Sequence, residues 1–256
     1  MENKSLYLDG ACGISGDMVV AALLDLGGSR EKLDAVLQSL KLDGFSYTID
    51  RKESYGVVGC DFDVHLRHDH LHDHDHEHHH HHEHRNLSDV HVIIDRGDMS
   101  DRAENLSKKI FQIVAEAESK AHDCPIEDVH FHEVGAVDSI VDIVSAAVLI
   151  DDLGITDCIV TGFSEGTGFV HCAHGKLPVP VPAVLNIAQQ SKIPLNPTKT
   201  KGEMVTPTGL AIAVAIRTIT KFPANYTVLK TGIGLGKRDF GRANVLRASI
   251  IEEKKP

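Results

Sequence analysis

Residues 68–84, HDHLHDHDHEHHHHHEH, hold eleven His and five acidic residues in seventeen positions, and a run of this kind cannot enter a packed core. With Leu71 as its one apolar side chain and no hydrophobic period, it buries too little surface to offset the entropy of ordering it. Residues 68–85 are therefore expected as a flexible loop that interrupts the fold. The same composition points to metal. His68, His70, His72, His74, His76, His78, His79, His80, His81, His82 and His84 offer imidazole nitrogens that suit Ni, Cu, Zn and Co, and the interleaved acids offset a cation's charge. The absence of thiols in the tract argues against Cu(I) or a closed structural zinc site and favours a borderline divalent ion, with Ni(II) and Zn(II) leading. A purification tag would sit at a terminus without acids, and a merely solvated run would not choose a side chain that is mostly neutral at pH 7. Many weak, interchangeable ligand sets suit storage or delivery better than catalysis.

The remaining chain has ordinary globular character. At 256 residues, 42% hydrophobic and 25% charged, it can build one sizeable core or two small ones. Its five cysteines, Cys12, Cys60, Cys124, Cys158 and Cys172, are scattered and odd in number. No signal peptide precedes Leu6 and no apolar run approaches a membrane span, so a cytoplasmic protein with reduced thiols is expected. A formal net charge of −11 disfavours a nucleic-acid surface, and the absence of Trp makes a base-stacking platform unlikely to be the purpose.

Periodicity predicts a mixed α/β domain over 1–67 and 86–225, followed by a strand-rich segment over 226–256. A strand at Ser5–Leu8 leads through a glycine-rich loop, Asp9 to Asp17, into a helix from Met18 to Leu26. A second helix is expected at 30–41, and two strands between Phe45 and Leu66 joined near Gly56 to Gly59. After the His tract, His91 to Asp95 reads as a strand and Asp101 to His122 as a long amphipathic helix. Further helices are expected at about 138–153 and 207–220, with short strands at Cys158–Thr161 and Gly168–Cys172. The Pro-rich Leu177 to Pro182 should be extended, and the part from Tyr226 should form strands around a glycine loop.

Several constellations carry chemistry. In Val129 to Asp152, His130 and His132 alternate onto one side of an extended stretch, and Glu133 follows at once. Asp138 and Asp142 are four residues apart, which stacks them on one face of a helix that is otherwise almost wholly apolar. Two carboxylates so placed resist ionising unless a cation or donors compensate them. A metal or a strongly basic partner does so; the other reading makes Asp138 a helix cap and bonds Asp142 to a loop. The loop containing Gly10, Gly13 and Ser15 lies between strand and helix, where amides and the helix dipole hold anions, but Asp9 and Asp17 would repel phosphate. A metal-bridged ligand and a tight structural turn both remain open. His171, Cys172 and His174 form a weak metal signal. Thr206 and Pro207 start a helix, which leaves Glu203 and Thr208 unexplained. Finally, Lys237, Arg238 and Arg242 concentrate positive charge in an acidic chain, as a phosphate clamp or as a solvated hairpin.

Five segments in order, LDGACGISGDM at 8–18, HFHEVGAVDSIVDIV at 130–144, GFVHCAHGKLPVPVPA at 168–183, GEMVTPTG at 202–209 and GIGLGKRDFGRANVLR at 232–247, closely resemble the nickel-insertion proteins of lactate racemase cofactor maturation. The resemblance implies a lyase-class nickel chelatase. It would insert Ni(II) into a pyridinium-3,5-bisthiocarboxylic acid mononucleotide, forming Ni–S bonds and a Ni–C bond at ring C4, with CTP and Mg(II) or Mn(II) in support. On that basis His130, His132, Asp138 and Asp142 are candidate metal ligands. Glu133, Asp138, His132 and His174 are candidate acid–base groups for the C4 proton. Gly10, Gly13, Ser15, Lys237, Arg238 and Arg242 would hold the mononucleotide. Apo lactate racemase would be the downstream recipient. Similar full-length proteins continue past Arg247 into a second domain associated with nucleotide binding, so a C-terminal partner polypeptide is expected, and a homo-oligomer is compatible with the sequence. A nickel-storing metallochaperone and a metal-dependent hydrolase are the competing readings.

Overall fold

Alternation in the first strand sets the frame. In β1 (Lys4–Asp9), Leu6 and Leu8 turn inward and are buried, while Ser5, Tyr7 and Asp9 face the other way. The computed structural model describes residues 4–66, 85–129, 137–172 and 175–254, and the expected mixed α/β class is borne out. In chain order follow α1 (Gly16–Asp25), α2 (Arg30–Ser39), β2 (Phe45–Ser54), β3 (Val57–Leu66), α3 (Leu87–Ile94), α4 (Asp101–His122) and α5 (Val137–Asp152). The second half holds β4 (Cys158–Ile159), β5 (Phe163–Thr167), β6 (Phe169–Cys172), β7 (Gly175–Pro178), α6 (Pro182–Ser191), β8 (Leu195–Lys201), α7 (Pro207–Ile216), β9 (Tyr226–Leu235) and β10 (Val245–Glu253). The His tract lies outside the described residues.

Six strands form the main sheet, in the order β2-β3-β9-β10-β1-β4. The C-terminal hairpin β9-β10 thus occupies the middle of the sheet: β10 runs antiparallel to β1, with Leu8 opposite Ala248, and β9 meets β3 at a Cys60–Gly234 bridge. Two of the glycines expected in a loop, Gly232 and Gly234, lie within β9, and their purpose is close packing. A Cβ on Gly232 would stand 2.2 Å from the Ala22 carbonyl oxygen, and one on Gly234 would stand 2.0 Å from that of Met18, so α1 lies directly on this strand. On the far side of α1, α5 packs against α1, α2, α4 and α7. Nearly all of its residues from Ser139 to Ile150 are buried, with Asp142 as the break in the apolar run.

Two expectations are corrected. The segment His91 to Asp95 belongs to α3, not to a strand. The Asn86 side chain accepts the Asp89 N–H at 3.0 Å and the Asp89 carboxylate accepts the Asn86 N–H at 3.0 Å, a reciprocal cap that starts a helix burying Val90, Ile93 and Ile94. Cap chemistry and helical spacing outweigh the β-propensity of the Val-Ile-Ile run. The Pro-rich segment is extended through Pro178, but Pro182 then opens α6 as its first residue, where a missing N–H costs nothing. The strands β5 and β8, which pair in parallel, were not anticipated by the alternation pattern.

Candidate functional site

Three helices begin at the same place. Ser15, Gly16 and Asp17 at the start of α1, Asp138 and Ser139 at the start of α5, and Thr206, Pro207 and Thr208 at the start of α7 line one pocket of about 310 Å³. Phe62, Asp63 and Val64 of β3, Asp142, Glu203 and Lys237 complete its wall. Each helix start carries roughly half a positive charge on its unsatisfied N–H groups, so the three together favour anions. The carboxylates of Asp17, Asp63, Asp138, Asp142 and Glu203 oppose that field and favour cations. An opening with both properties suits a divalent cation held next to an anionic ligand.

Local sequence explains the approach of the helices. A Cβ on Gly16 would lie 2.5 Å from Asp142 Oδ2, so glycine there lets α1 start against the Asp142 carboxylate. The Asp17 backbone N–H donates to that carboxylate. Burial, and then the negative charges of Asp17 and Asp138, push the Asp142 carboxyl well above the usual carboxylate range, while Lys237 and the Asp17 N–H pull the other way. Asp17 is also raised, chiefly by burial, against a hydrogen bond from the Ser15 hydroxyl and the charge of Lys237. Two of the pocket's acids therefore resist ionisation.

Lys237 carries the pocket's positive charge. Its Nζ donates to Asp61 and lies 3.6 Å from Asp63 Oδ1. Lys52 Nζ meets the other Asp61 oxygen at 2.5 Å. Burial works to raise Asp61, but the bonds and charges of the two lysines outweigh it and hold the carboxyl below its ordinary value. Arg238 reaches Glu203 twice, Nη1 to the backbone oxygen at 3.1 Å and Nη2 to Oε2 at 3.1 Å.

Of the residues expected at a site, the fold brings Ser15, Asp138, Asp142 and Lys237 into the pocket and places Arg238 on its wall residue Glu203. Arg242 turns elsewhere, to Cys12 Sγ at 3.1 Å and towards Met204 Sδ at 3.9 Å. Gly10 and Gly13 serve tight packing: a Cβ on Gly10 would strike the Phe163 ring, and Gly13, at φ +86°, lies under the Met204 carbonyl. The loop's amides are already engaged, Gly13 N–H by the Gly10 carbonyl at 3.1 Å and Ile14 N–H by the Met204 carbonyl at 2.9 Å. His130, His132, Glu133, His174 and the tract histidines lie outside the described residues. Among the described residues no group of three or more His, Cys, Asp or Glu is disposed to hold a metal ion. The described wall is thus an open set of oxygen donors rather than a closed cage.

Asp61 and Asp63 were missed as site residues, while Asp17, weighed in the sequence as a partner of a bridging metal, and Glu203, left there without a role, both line the pocket. The alternating Asp61-Phe62-Asp63 in β3, with Phe62 fully buried, was a legible sign that two acids share the opposite face. None of the five cysteines forms a disulfide, and among the described residues no helix is long and apolar enough to cross a membrane.

Comparison with known proteins bears on this pocket. A family model described as nickel insertion protein matches residues 6–256. A relative from Alkaliphilus metalliredigens, named pyridinium-3,5-bisthiocarboxylic acid mononucleotide nickel insertion protein, is 52% identical across 99% of this chain and 62% of its own length. One of the same name from Acetivibrio thermocellus is 44% identical across 98% of the chain and 61% of its own length. A putative nickel insertion protein from Dictyoglomus thermophilum is 37% identical across 97% and 61%. The chain spans about three-fifths of the length of these relatives. No solved structure matches it.

Proposed function

Because the chain belongs to the nickel insertion protein family, we propose that it binds Ni(II) and inserts it into a pyridinium-3,5-bisthiocarboxylic acid mononucleotide. The observation that carries this reading is the convergence of three helix starts and five carboxylates on one pocket with Lys237 at its side. The His tract gathers the ion, and the helix starts with Lys237 and Arg238 receive the phosphate of the mononucleotide. Asp138 and Asp142 offer nickel oxygen donors, and His130 and His132 complete its ligands. Oxygen donors bind this ion less firmly than sulfur does, so transfer to the two thiocarboxylates runs downhill.

Closing a Ni–C bond at ring C4 requires the C4–H proton to leave while its electron pair goes to the metal. Asp138, at the start of α5, is the described candidate to accept it. His130, His132, Glu133 and His174 are the further candidates for ligation and proton transfer. We assign CTP and Mg(II) or Mn(II) to the additional length that the relatives possess, and apo lactate racemase to the downstream step.

The test is nickel insertion into the purified bisthiocarboxylated mononucleotide, with and without CTP, read as activation of apo lactate racemase. Insertion predicts that Asp138→Asn and Asp142→Asn abolish activation, while deleting 68–84 only raises the nickel concentration required. The His tract favours a second reading, a nickel store without chemistry. That reading predicts the reverse: loss on deletion and indifference to the two substitutions.

A further inference from the structure

Glu165, in β5, is 1% exposed, yet it is a carboxylate. Its Oε1 accepts three backbone N–H groups, from Gly166 at 2.7 Å, Met204 at 2.9 Å and Val205 at 3.3 Å. Its Oε2 is buried without a hydrogen-bond partner among the described residues. Burying a carboxylate with one oxygen unmatched is costly, and a fold that needed only an acceptor for a turn has less expensive means. What the three donors share explains the choice. Two of them belong to the strip 202–206, which crosses back over the end of β5 after β8, with the Gly202 N–H on the Thr167 carbonyl at 2.9 Å.

That strip is held from both sides. Opposite Glu165, the Ile14 N–H donates to the Met204 carbonyl at 2.9 Å and the Thr206 N–H to the Ile14 carbonyl at 3.0 Å. The strip delivers Glu203 to the pocket wall and Thr206 to the cap of α7, where its side chain accepts the Gly209 N–H at 3.2 Å. Arg238, anchored on Glu203, adds its charge near Glu165. We propose that Glu165 is a positioning residue for the pocket: by gathering the amides of Met204 and Val205 it fixes where the Glu203 carboxylate and the start of α7 face Asp142. The proposal rests on the reading of this pocket as the metal and mononucleotide site.

Mn(II) binding to the full chain, followed by loss of the free-ion electron paramagnetic resonance signal, tests it. Mn(II) favours oxygen donors and stands lowest in the affinity order for nitrogen, so the pocket is sampled over the His tract. Glu165→Gln keeps an acceptor of the same length and should bind within about twofold of the parent. Glu165→Met removes the acceptor, and Glu165→Asp shortens its reach while leaving a carboxylate to help the chain fold. Both should weaken Mn(II) by about tenfold or more, as loss of an outer support does at metal sites. A purely structural role predicts lowered unfolding temperatures with unchanged affinity in Glu165→Met and Glu165→Asp, and that result overturns the proposal. Asp142→Asn is the companion variant. If it leaves Mn(II) binding unaltered, the pocket reading falls, and this proposal with it; if it abolishes binding while the Glu165 variants do not change it, only the role of Glu165 falls.

Discussion

Asp142 concentrates the conflict between folding and chemistry in one side chain. Its folded-state pKa is raised above the unfolded value, chiefly by burial. Its contribution to stability is therefore full below the unfolded value of about 4 and is lost as pH rises through the raised one. Asp17 titrates in the same direction. The metal-free chain should accordingly lose stability as pH rises from about 4 through the raised folded-state values, a fall that urea titrations at stepped pH would register. Asp142→Asn, which keeps an oxygen to accept the Asp17 N–H, should flatten that fall and stabilise the metal-free chain at pH 7.5 by about 1–3 kcal/mol. For a chain of this size, each kcal/mol appears as a rise of roughly 2–4 °C in calorimetry. The same variant should lose metal affinity, so a more stable protein that no longer inserts nickel is the expected phenotype.

At the level of elements, short-range chemistry decides outcomes that propensity leaves open. Asn86→Ala removes one half of the reciprocal cap on α3 and should cost about 1 kcal/mol in chemical denaturation, with helix content little altered. Gly234→Ala puts a methyl group against the Met18 carbonyl and should cost about 1–3 kcal/mol unless α1 withdraws, with the loss read as a lower urea midpoint. These two positions also mark what the sequence disclosed and what it concealed. Asp138 and Asp142 stood out because a four-residue spacing on an apolar helix has few other uses, and both line the pocket. Gly232 and Gly234 suggested a loop because glycine is ambiguous until the element that crosses it is known. Asp61, Asp63 and Glu203 could not be joined to Asp17 from periodicity, because only the sheet order brings β3, the 202–206 strip and α1 together. The 91–95 segment reads as a strand from its own Val-Ile-Ile run, and the cap that makes it helical lies upstream, at Asn86.

For the whole molecule, the tract and the pocket should separate by deletion. The described elements on either side of 68–84 are bounded without it: β3 ends at Leu66 and α3 takes its cap from Asn86. Removing the tract should leave the unfolding temperature unchanged within about 2 °C while equilibrium dialysis records a large fall in bound nickel. Binding at the pocket, followed with Mn(II), should persist.

The order of the strands also has a consequence for synthesis. β1 finds one of its partners only in β10, and β9 beside it links the β2-β3 hairpin to the rest of the sheet. A ribosome must therefore release the chain through β10 before the sheet can close. Lys237, which lies in the β9-β10 connection, reaches Asp61 and Asp63 only at that moment. The tract, translated far earlier, can collect ions on a nascent polypeptide well before a finished pocket exists to receive them.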